Sequence, residues 1–111
     1  MIARVWLAWT TPGNADAYET FLTGEVFAGL EERDLPGFVG CSLLRRRSGD
    51  EEEFMTILRF SSMDAVRSMA GEAYERAVVS EKDRALLTRF DEQVAHYEVR
   101  ADWDRRLARG T

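Results

Sequence analysis

Residues 2–9 read IARVWLAW, a short β-branched and aromatic stretch that predicts a strand buried on both faces. The patterns after it are a helix, two strands, a helical region and a last strand, at Pro12–Gly29, Phe38–Arg47, Glu52–Phe60, Ser61–Phe90 and Gln93–Val99. This βαββαβ order predicts an α+β, ferredoxin-like fold with a four-stranded antiparallel sheet and two helices on one face. We expect strand order 4-1-3-2. The other sheet face is left bare and needs a partner, which favours a homodimer.

The start of the first helix is marked by Thr11-Pro12, a hydroxyl cap followed by proline at the first helical position. Asn14 is the alternative cap. An apolar stripe with a spacing of three and four residues then predicts the buried helix face, formed by Tyr18, Phe21, Leu22, Val26 and Leu30.

The second helical region begins at the cap Ser61–Ser62, and Gly71 ends its first helix. Ala73–Val79 and Glu81–Phe90 predict a further, broken helical stretch. Between the two middle strands, Ser48-Gly49-Asp50 is typical of a tight hairpin. Arginines and acids flank this turn and predict cross-strand ion pairs at a solvated tip rather than an anion site.

The composition fits one domain with an acidic surface. The chain has 111 residues and a net charge of −5, which disfavours nucleic acid and anionic membranes as partners. Residues 1–99 hold the predicted domain, and residues 100–111 form a charged tail in which only Trp103 is expected to act as an anchor. No signal peptide or membrane-spanning run is evident, so we expect a cytoplasmic protein.

Few residues of this sequence can carry chemistry. Cys41 is the only cysteine and is interpreted as a small core residue, and His96 is the only histidine. No spacing of histidines and carboxylates predicts a zinc or iron site, and no glycine-rich phosphate loop is present. We therefore expect neither a metal nor a cofactor.

His96 is the first catalytic candidate, because it is the only side chain that ordinarily titrates near neutral pH and a strand holds it rigidly. The alternative is a structural histidine that donates to a backbone carbonyl. Trp6 and Trp9 would line an aromatic pocket, or else fill a core or an interface. They are an odd number of residues apart and must point to opposite faces of the sheet.

Three further residues are weighed between a site and a structural role. Tyr74 follows Gly71 and would project its hydroxyl into a cleft between helices and sheet, or else pack with the hydroxyl in water. Arg4 and Arg59 lie within strand patterns, where a charge needs a partner or a cavity. Each could instead pair with an acid across a dimer interface.

The sequence resembles the antibiotic biosynthesis monooxygenase-like family of the dimeric α+β barrel superfamily. The resemblance extends over residues 1–99, and the stretches that carry it are Met1–Trp6, Trp9–Pro12, Asn14–Tyr18, Pro36–Phe38, Asp64–Val66, Ala70–Glu72, Tyr74, Ala77–Val79, Arg89–Asp91 and His96–Val99. It implies two subunits packed sheet to sheet, with a pocket in each between helices and sheet.

The resemblance also implies a chemistry. Some relatives oxidise anthrone-like substrates with molecular oxygen and no cofactor, after the substrate loses a proton in a dry aromatic pocket. Heme-degrading relatives instead use an asparagine on strand one, a tryptophan after strand three and a histidine on a helix. Here strand one has no asparagine, Phe60 closes strand three and His96 is on strand four, so heme degradation is disfavoured.

We therefore expect a cofactor-independent monooxygenase, or a related enzyme, that acts on an aromatic or quinol-like small molecule. The expected catalytic residues are His96, Tyr74 and Arg59, and the expected substrate-binding residues are Trp6, Trp9 and Phe60. The alternatives are a non-catalytic ligand-binding homodimer and a structural homodimer of the same fold.

Overall fold

The computed structural model describes residues 1–106, and it has one antiparallel sheet with helices on one face. Its strands are β1 to β5, at Ile2–Thr10, Phe38–Ser48, Glu51–Phe60, Leu87–Phe90 and Ala95–Glu98. The order is β2-β3-β1-β4, and β5 also pairs with β1. This arrangement confirms the predicted α+β fold and the predicted order, because β4 and β5 together take the place of the fourth strand.

The fourth position of the sheet is divided along β1. β5 pairs with the first half of β1, from Ile2 opposite Glu98 to Val5 opposite Ala95. β4 pairs with the second half, at Ala8 to Thr10. The prediction of a helix through Phe90 was wrong, because residues 87–90 supply hydrogen bonds that this half of β1 would otherwise lack.

The first helical segment consists of helix α1 at Pro12–Phe21, a π-helical turn at Leu22–Phe27 and helix α2 at Ala28–Glu32. Thr11 caps it, since its Oγ1 accepts from the backbone N–H of Asn14 at 3.1 Å. The predicted cap was therefore correct, and Asn14 is not the cap. The π-helical turn was not predicted.

Two shorter helices follow β3. Helix α3, Met63–Ala70, is capped by Ser62 and ends at Gly71 as predicted. Helix α4, Glu81–Leu86, begins at Ser80. The predicted helix at Ala73–Val79 was wrong, because residues 72–75 form a turn and Arg76 makes an isolated bridge to Gln93 instead.

The β2–β3 hairpin turns through Gly49 and Asp50, with Ser48 opposite Glu51. The predicted ion pairs form at its tip: Arg46 Nε lies 2.9 Å from a carboxylate oxygen of Glu53. Arg45 contacts acids on both the strand and the first helix, namely Glu52, Asp16 and Glu19. Most of these pairs have one partner that is well exposed to water, so they fix the hairpin position more than they stabilise the fold.

The two sheet faces differ in what covers them. Ala8 and its cross-strand partner Phe54 are buried under α1, where the Phe54 ring makes an edge contact with Tyr18 at 5.2 Å. A second cluster of Phe60, Ala65 and Val66 packs under α3. The opposite face is left bare in the single chain, and its central side chains are apolar, at Val5, Leu7, Leu44, Met55 and Ile57.

Residues 100–104 have no regular secondary structure, and Trp103 is 86% exposed. The expectation that Trp103 anchors the tail was therefore wrong for the single chain. Residues 107–111 of the predicted tail lie outside the described residues. Over residues 1–106, no helix has the length and apolar character that crossing a bilayer requires.

Gly37, just before β2, lies close against the start of helix α3. Its φ is +82°, and an added Cβ would lie 2.6 Å from Ala65 Cβ and 2.7 Å from Ser61 Oγ. Gly49 also has a positive φ, of +61°, but an added Cβ would meet nothing within 4 Å. Gly37→Ala should therefore lower the free energy of unfolding by about 2–5 kcal/mol, from backbone strain and overpacking together.

The matched control is Gly49→Ala, which should cost only the left-handed strain of about 1–2 kcal/mol. Urea unfolding of both variants measures the difference. Equal losses in the two variants would contradict the close approach of Gly37 to α3.

Candidate functional site

A cavity of about 700 Å³ lies between the helix-facing side of the sheet and the helical layer. The sheet supplies its floor, the π-helical turn and α2 supply one wall, and residues 77–83 supply the rim. Most of the lining is apolar, and a volume of this size suits a small organic molecule.

The floor of the cavity follows from the alternation of side chains along β1 and β3. Arg4 and Trp6 share the face of Ala8, and their cross-strand partners Leu58 and Thr56 share it too. All four of these floor residues line the cavity. The Trp6 ring is held in place because its Nε1 donates to the backbone carbonyl of Asp91 at 2.6 Å.

The helical wall includes the π-helical turn, which presents Leu22, Glu25 and Val26 to the cavity. A π-helical turn widens the helix locally and is often retained at functional sites. Here its position beside the cavity makes it a wall of the site.

The rim is tied to the rest of the chain by a buried carboxylate. Asp83 accepts a hydrogen bond from the Tyr18 hydroxyl at 2.8 Å, and its other oxygen accepts from the Ser80 backbone N–H at 2.9 Å. Nearer the solvent, Lys82 Nζ lies 2.6 Å from a carboxylate oxygen of Glu25. The rim is thereby joined to α1 and to the π-helical turn.

Arg4 is the unusual residue of the cavity. It is only 5% exposed, and Nη1 donates to the Tyr74 carbonyl at 2.5 Å and lies 2.9 Å from His96 Nε2. Nη2 makes one long contact of 3.5 Å with the Arg76 carbonyl. Within residues 1–106, no carboxylate lies within salt-bridge distance of Arg4. Burial accordingly lowers the pKa of the guanidinium.

His96 lies opposite Arg4 on the paired strand β5, and its contact with the guanidinium favours the neutral imidazole. Since arginine has only donors, Nε2 is the acceptor of this contact and the ring proton is on Nδ1. Burial lowers the pKa of His96 and the Arg4 charge lowers it further, whereas Glu75 acts in the opposite direction. The Tyr74 ring packs edge-on against the imidazole, with centroids 5.5 Å apart.

Of the residues predicted for the site, only Trp6 lines the cavity. His96 and Tyr74 are adjacent to each other but are not part of the lining. Trp9 lies on the opposite sheet face because it is three residues from Trp6, with its ring under the Arg89 guanidinium at 3.9 Å. Trp6, but not Trp9, therefore lines this cavity, as their predicted placement on opposite faces allows.

Arg59 and Phe60 are also outside the cavity. Arg59 lies on the bare face and donates from Nη1 to Ser42 Oγ at 3.0 Å. Phe60 is fully buried and packs against Phe38 and Val66 in the second core cluster. Arg4 is the strand arginine that lines the cavity, whereas Arg59 was the one expected in the site. The even spacing of Arg4 from Trp6 along β1 was the sequence signal that these two side chains share a face of the sheet.

The described residues offer few ligands for a metal ion or for heme iron. Among residues 1–106, no group of three or more histidines, cysteines, aspartates and glutamates is placed to hold a metal ion. Of the side chains that commonly bind heme iron axially, the described cavity lining contains one methionine, Met69, and no histidine, cysteine or tyrosine.

Comparisons with known proteins place the fold. No protein-family model matches the sequence, and a search of curated proteins gives no significant match. Among solved structures, a Bacillus cereus protein provisionally described as an antibiotic biosynthesis monooxygenase matches with a TM-score of 0.67 and 18% identity, over 93% of this chain and 94% of the other.

A second solved structure is that of the heme degrader MhuD of Mycobacterium tuberculosis, with two hemes bound in its active site. It matches with a TM-score of 0.63 and 21% identity, over 94% of this chain and all of MhuD. At these identities the likeness shows the fold. The chain therefore has the ferredoxin-like architecture shared by these proteins, which confirms the resemblance inferred from sequence at the level of the fold.

The Tyr18–Asp83 contact is testable through stability. Tyr18→Phe should lower the free energy of unfolding by about 1–3 kcal/mol, because it removes a donor from a buried carboxylate. Tyr97→Phe is the matched control, since Tyr97 is 59% exposed, and it should change stability by less than about 0.5 kcal/mol. Chemical denaturation measures both, and equal effects would show that the contact is not stabilising.

Proposed function

We propose that the protein is a cofactor-independent monooxygenase, or a related enzyme, that acts on an aromatic or quinol-like small molecule in this cavity. The observation that supports the proposal is the combination of a largely apolar cavity, an aromatic floor residue in Trp6, and a buried Arg4 in contact with a neutral His96. The likeness of fold to a provisionally described monooxygenase is consistent with it.

The proposed reaction needs a proton acceptor and stabilisation of an anion. A substrate hydroxyl loses its proton, and the resulting electron-rich anion reduces molecular oxygen. One oxygen atom enters the substrate as a carbonyl and the other leaves as water, so that a CH₂ group and O₂ become C=O and H₂O. The protein contributes orientation, a site of low polarity and acid–base groups.

His96 is the proposed proton acceptor, because its lowered pKa favours the neutral imidazole, the form that can accept a proton. Arg4 both lines the cavity and contacts Nε2, so His96 is proposed to accept the substrate proton once Nη1 moves away from Nε2, and Arg4 then faces the substrate oxyanion. Tyr74 is proposed to hold the imidazole orientation through its edge contact.

The bare sheet face is proposed to be a homodimer interface. Its centre is apolar, with Val5, Leu7, Met55 and Ile57 next to one another on paired strands, and its margin carries Arg59. Such a continuous apolar face on a small monomer favours burial against a second copy. We propose that this homodimer is a cytoplasmic protein.

Assembly can be measured directly. Sedimentation equilibrium should give about twice the 12.7 kDa chain mass. Leu44→Glu should shift the protein towards monomer, because it places a charge in the apolar face where Leu44 is 47% exposed. Val78→Glu, at an exposed residue of the cavity rim, is the control and should leave the dimer intact. A monomeric wild type at micromolar concentration would contradict the proposal.

Catalysis is tested by oxygen uptake with a panel of anthrones and hydroquinones. His96→Ala should lower turnover by about 10²–10⁴-fold, the usual contribution of a general base. The wild-type rate should rise with pH through an ionisation below the ordinary histidine value of about 6.5, because only the neutral imidazole accepts a proton and its pKa is lowered.

Two outcomes separate the alternatives. Binding of panel compounds without oxygen uptake would favour the non-catalytic ligand-binding dimer. Unchanged turnover per folded His96→Ala dimer would remove His96 from the mechanism and leave it a structural role.

A further inference from the structure

Arg4 is a buried cation without a counter-ion among the described residues. Its three polar contacts are with two backbone carbonyls and an imidazole, all of them neutral. Holding a charge at 5% exposure without an opposite charge costs free energy, and a bound anion would offset that cost. The cavity beside Arg4 is the space in which such an anion would lie.

The donors of Arg4 are unevenly used. Nη1 makes both short contacts, Nη2 makes the single contact of 3.5 Å, and Nε has no partner within residues 1–106. Nε and Nη2 form one edge of the planar guanidinium, and this is the edge that remains available. An arginine edge with two parallel N–H groups matches the two oxygens of a carboxylate, or a single phenolate oxygen with two donors.

The acidic side chains of the cavity lining do not act as a counter-ion for Arg4. Glu25 is paired with Lys82 near the solvent, and Asp83 is engaged by Tyr18 and Ser80. The remaining acid of the lining, Glu81, is exposed at the rim. No acid of the described cavity lining balances Arg4, and a ligand anion bound in the cavity would do so.

We propose that Arg4 is the specificity-determining residue of the cavity and binds a planar oxyanion of the substrate, either a carboxylate or an ionised phenol, with the aromatic body against Trp6. Trp6 is two residues from Arg4 on the same face of β1 and also lines the cavity, so one ligand can contact both side chains. The inference rests on the proposed function only in that the same cavity holds the substrate.

Binding without oxygen separates this inference from catalysis. Calorimetric titrations under nitrogen compare 2-naphthoate with 2-naphthamide, and ionised 4-nitrophenol with 4-nitroanisole. The oxyanion of at least one pair should bind about 10- to 100-fold more tightly than its neutral partner, the usual range for hydrogen bonds to a charged group. A preference in the first pair alone identifies a carboxylate, and a preference in the second alone identifies a phenolate.

The variants assign the preference to Arg4. Arg4→Met should abolish it, and Arg4→Lys should keep part of it, because the charge stays but the two-donor edge is lost. Arg76→Met is the matched control: the Arg76 side chain is exposed and meets Arg4 only through its backbone carbonyl, so the preference should persist.

Equal affinities within both pairs for the wild type would overturn the proposal, whether or not the variants fold. A preference that survives in Arg4→Met would overturn it as well. A preference that depends on Arg4, found in a protein that never consumes oxygen, would leave this inference standing and remove the proposed oxygenase activity.

Discussion

The structure depends on the position of β1 at the centre of the sheet. β3 pairs along one of its edges from Ile2 to Thr10, while β4 and β5 share the other edge. Strict alternation along this strand then assigns Arg4, Trp6 and Ala8 to the helices, and Val5 and Leu7 to the bare face. The cavity and the proposed interface are therefore the two sides of one strand, and a shift of one residue would exchange them.

The helix-facing side of β1 changes character along its length. At Ala8 the sheet is closely packed against α1, whereas at Trp6 and Arg4 the helical layer opens around the π-helical turn. The small side chain of Ala8 lies under the helix, and the large side chains of Arg4 and Trp6 lie under the opening. The opening is also where burying a cation has a functional explanation, because packing alone gains little from an uncompensated charge.

Much of the fold could be predicted from local patterns. The Thr11-Pro12 cap, the hairpin at Gly49 and the alternation in β1 each depend on neighbouring residues, and each is found in the structure. The strand at residues 87–90 could not be predicted this way. Its sequence continues a helical pattern, and only the unpaired second half of β1 favours the extended form over the helix.

The candidate site shows the same division. Sequence placed Trp6 and Trp9 on opposite faces but could not say which face holds the cavity, since both faces of β1 are apolar. The contact of Arg4 with His96 joins residues 92 positions apart and depends on the β1–β5 register. The π-helical turn could not be predicted either, because Gly24 is the only glycine or proline in its sequence.

The most direct test of the account is a crystal structure of the protein with 2-naphthoate or ionised 4-nitrophenol bound. The ring should lie against Trp6, and the ionised oxygen should lie within hydrogen-bond distance of Arg4 Nε and Nη2. A ligand bound on the bare sheet face, or one in the cavity whose charged group points to solvent away from Arg4, would contradict it.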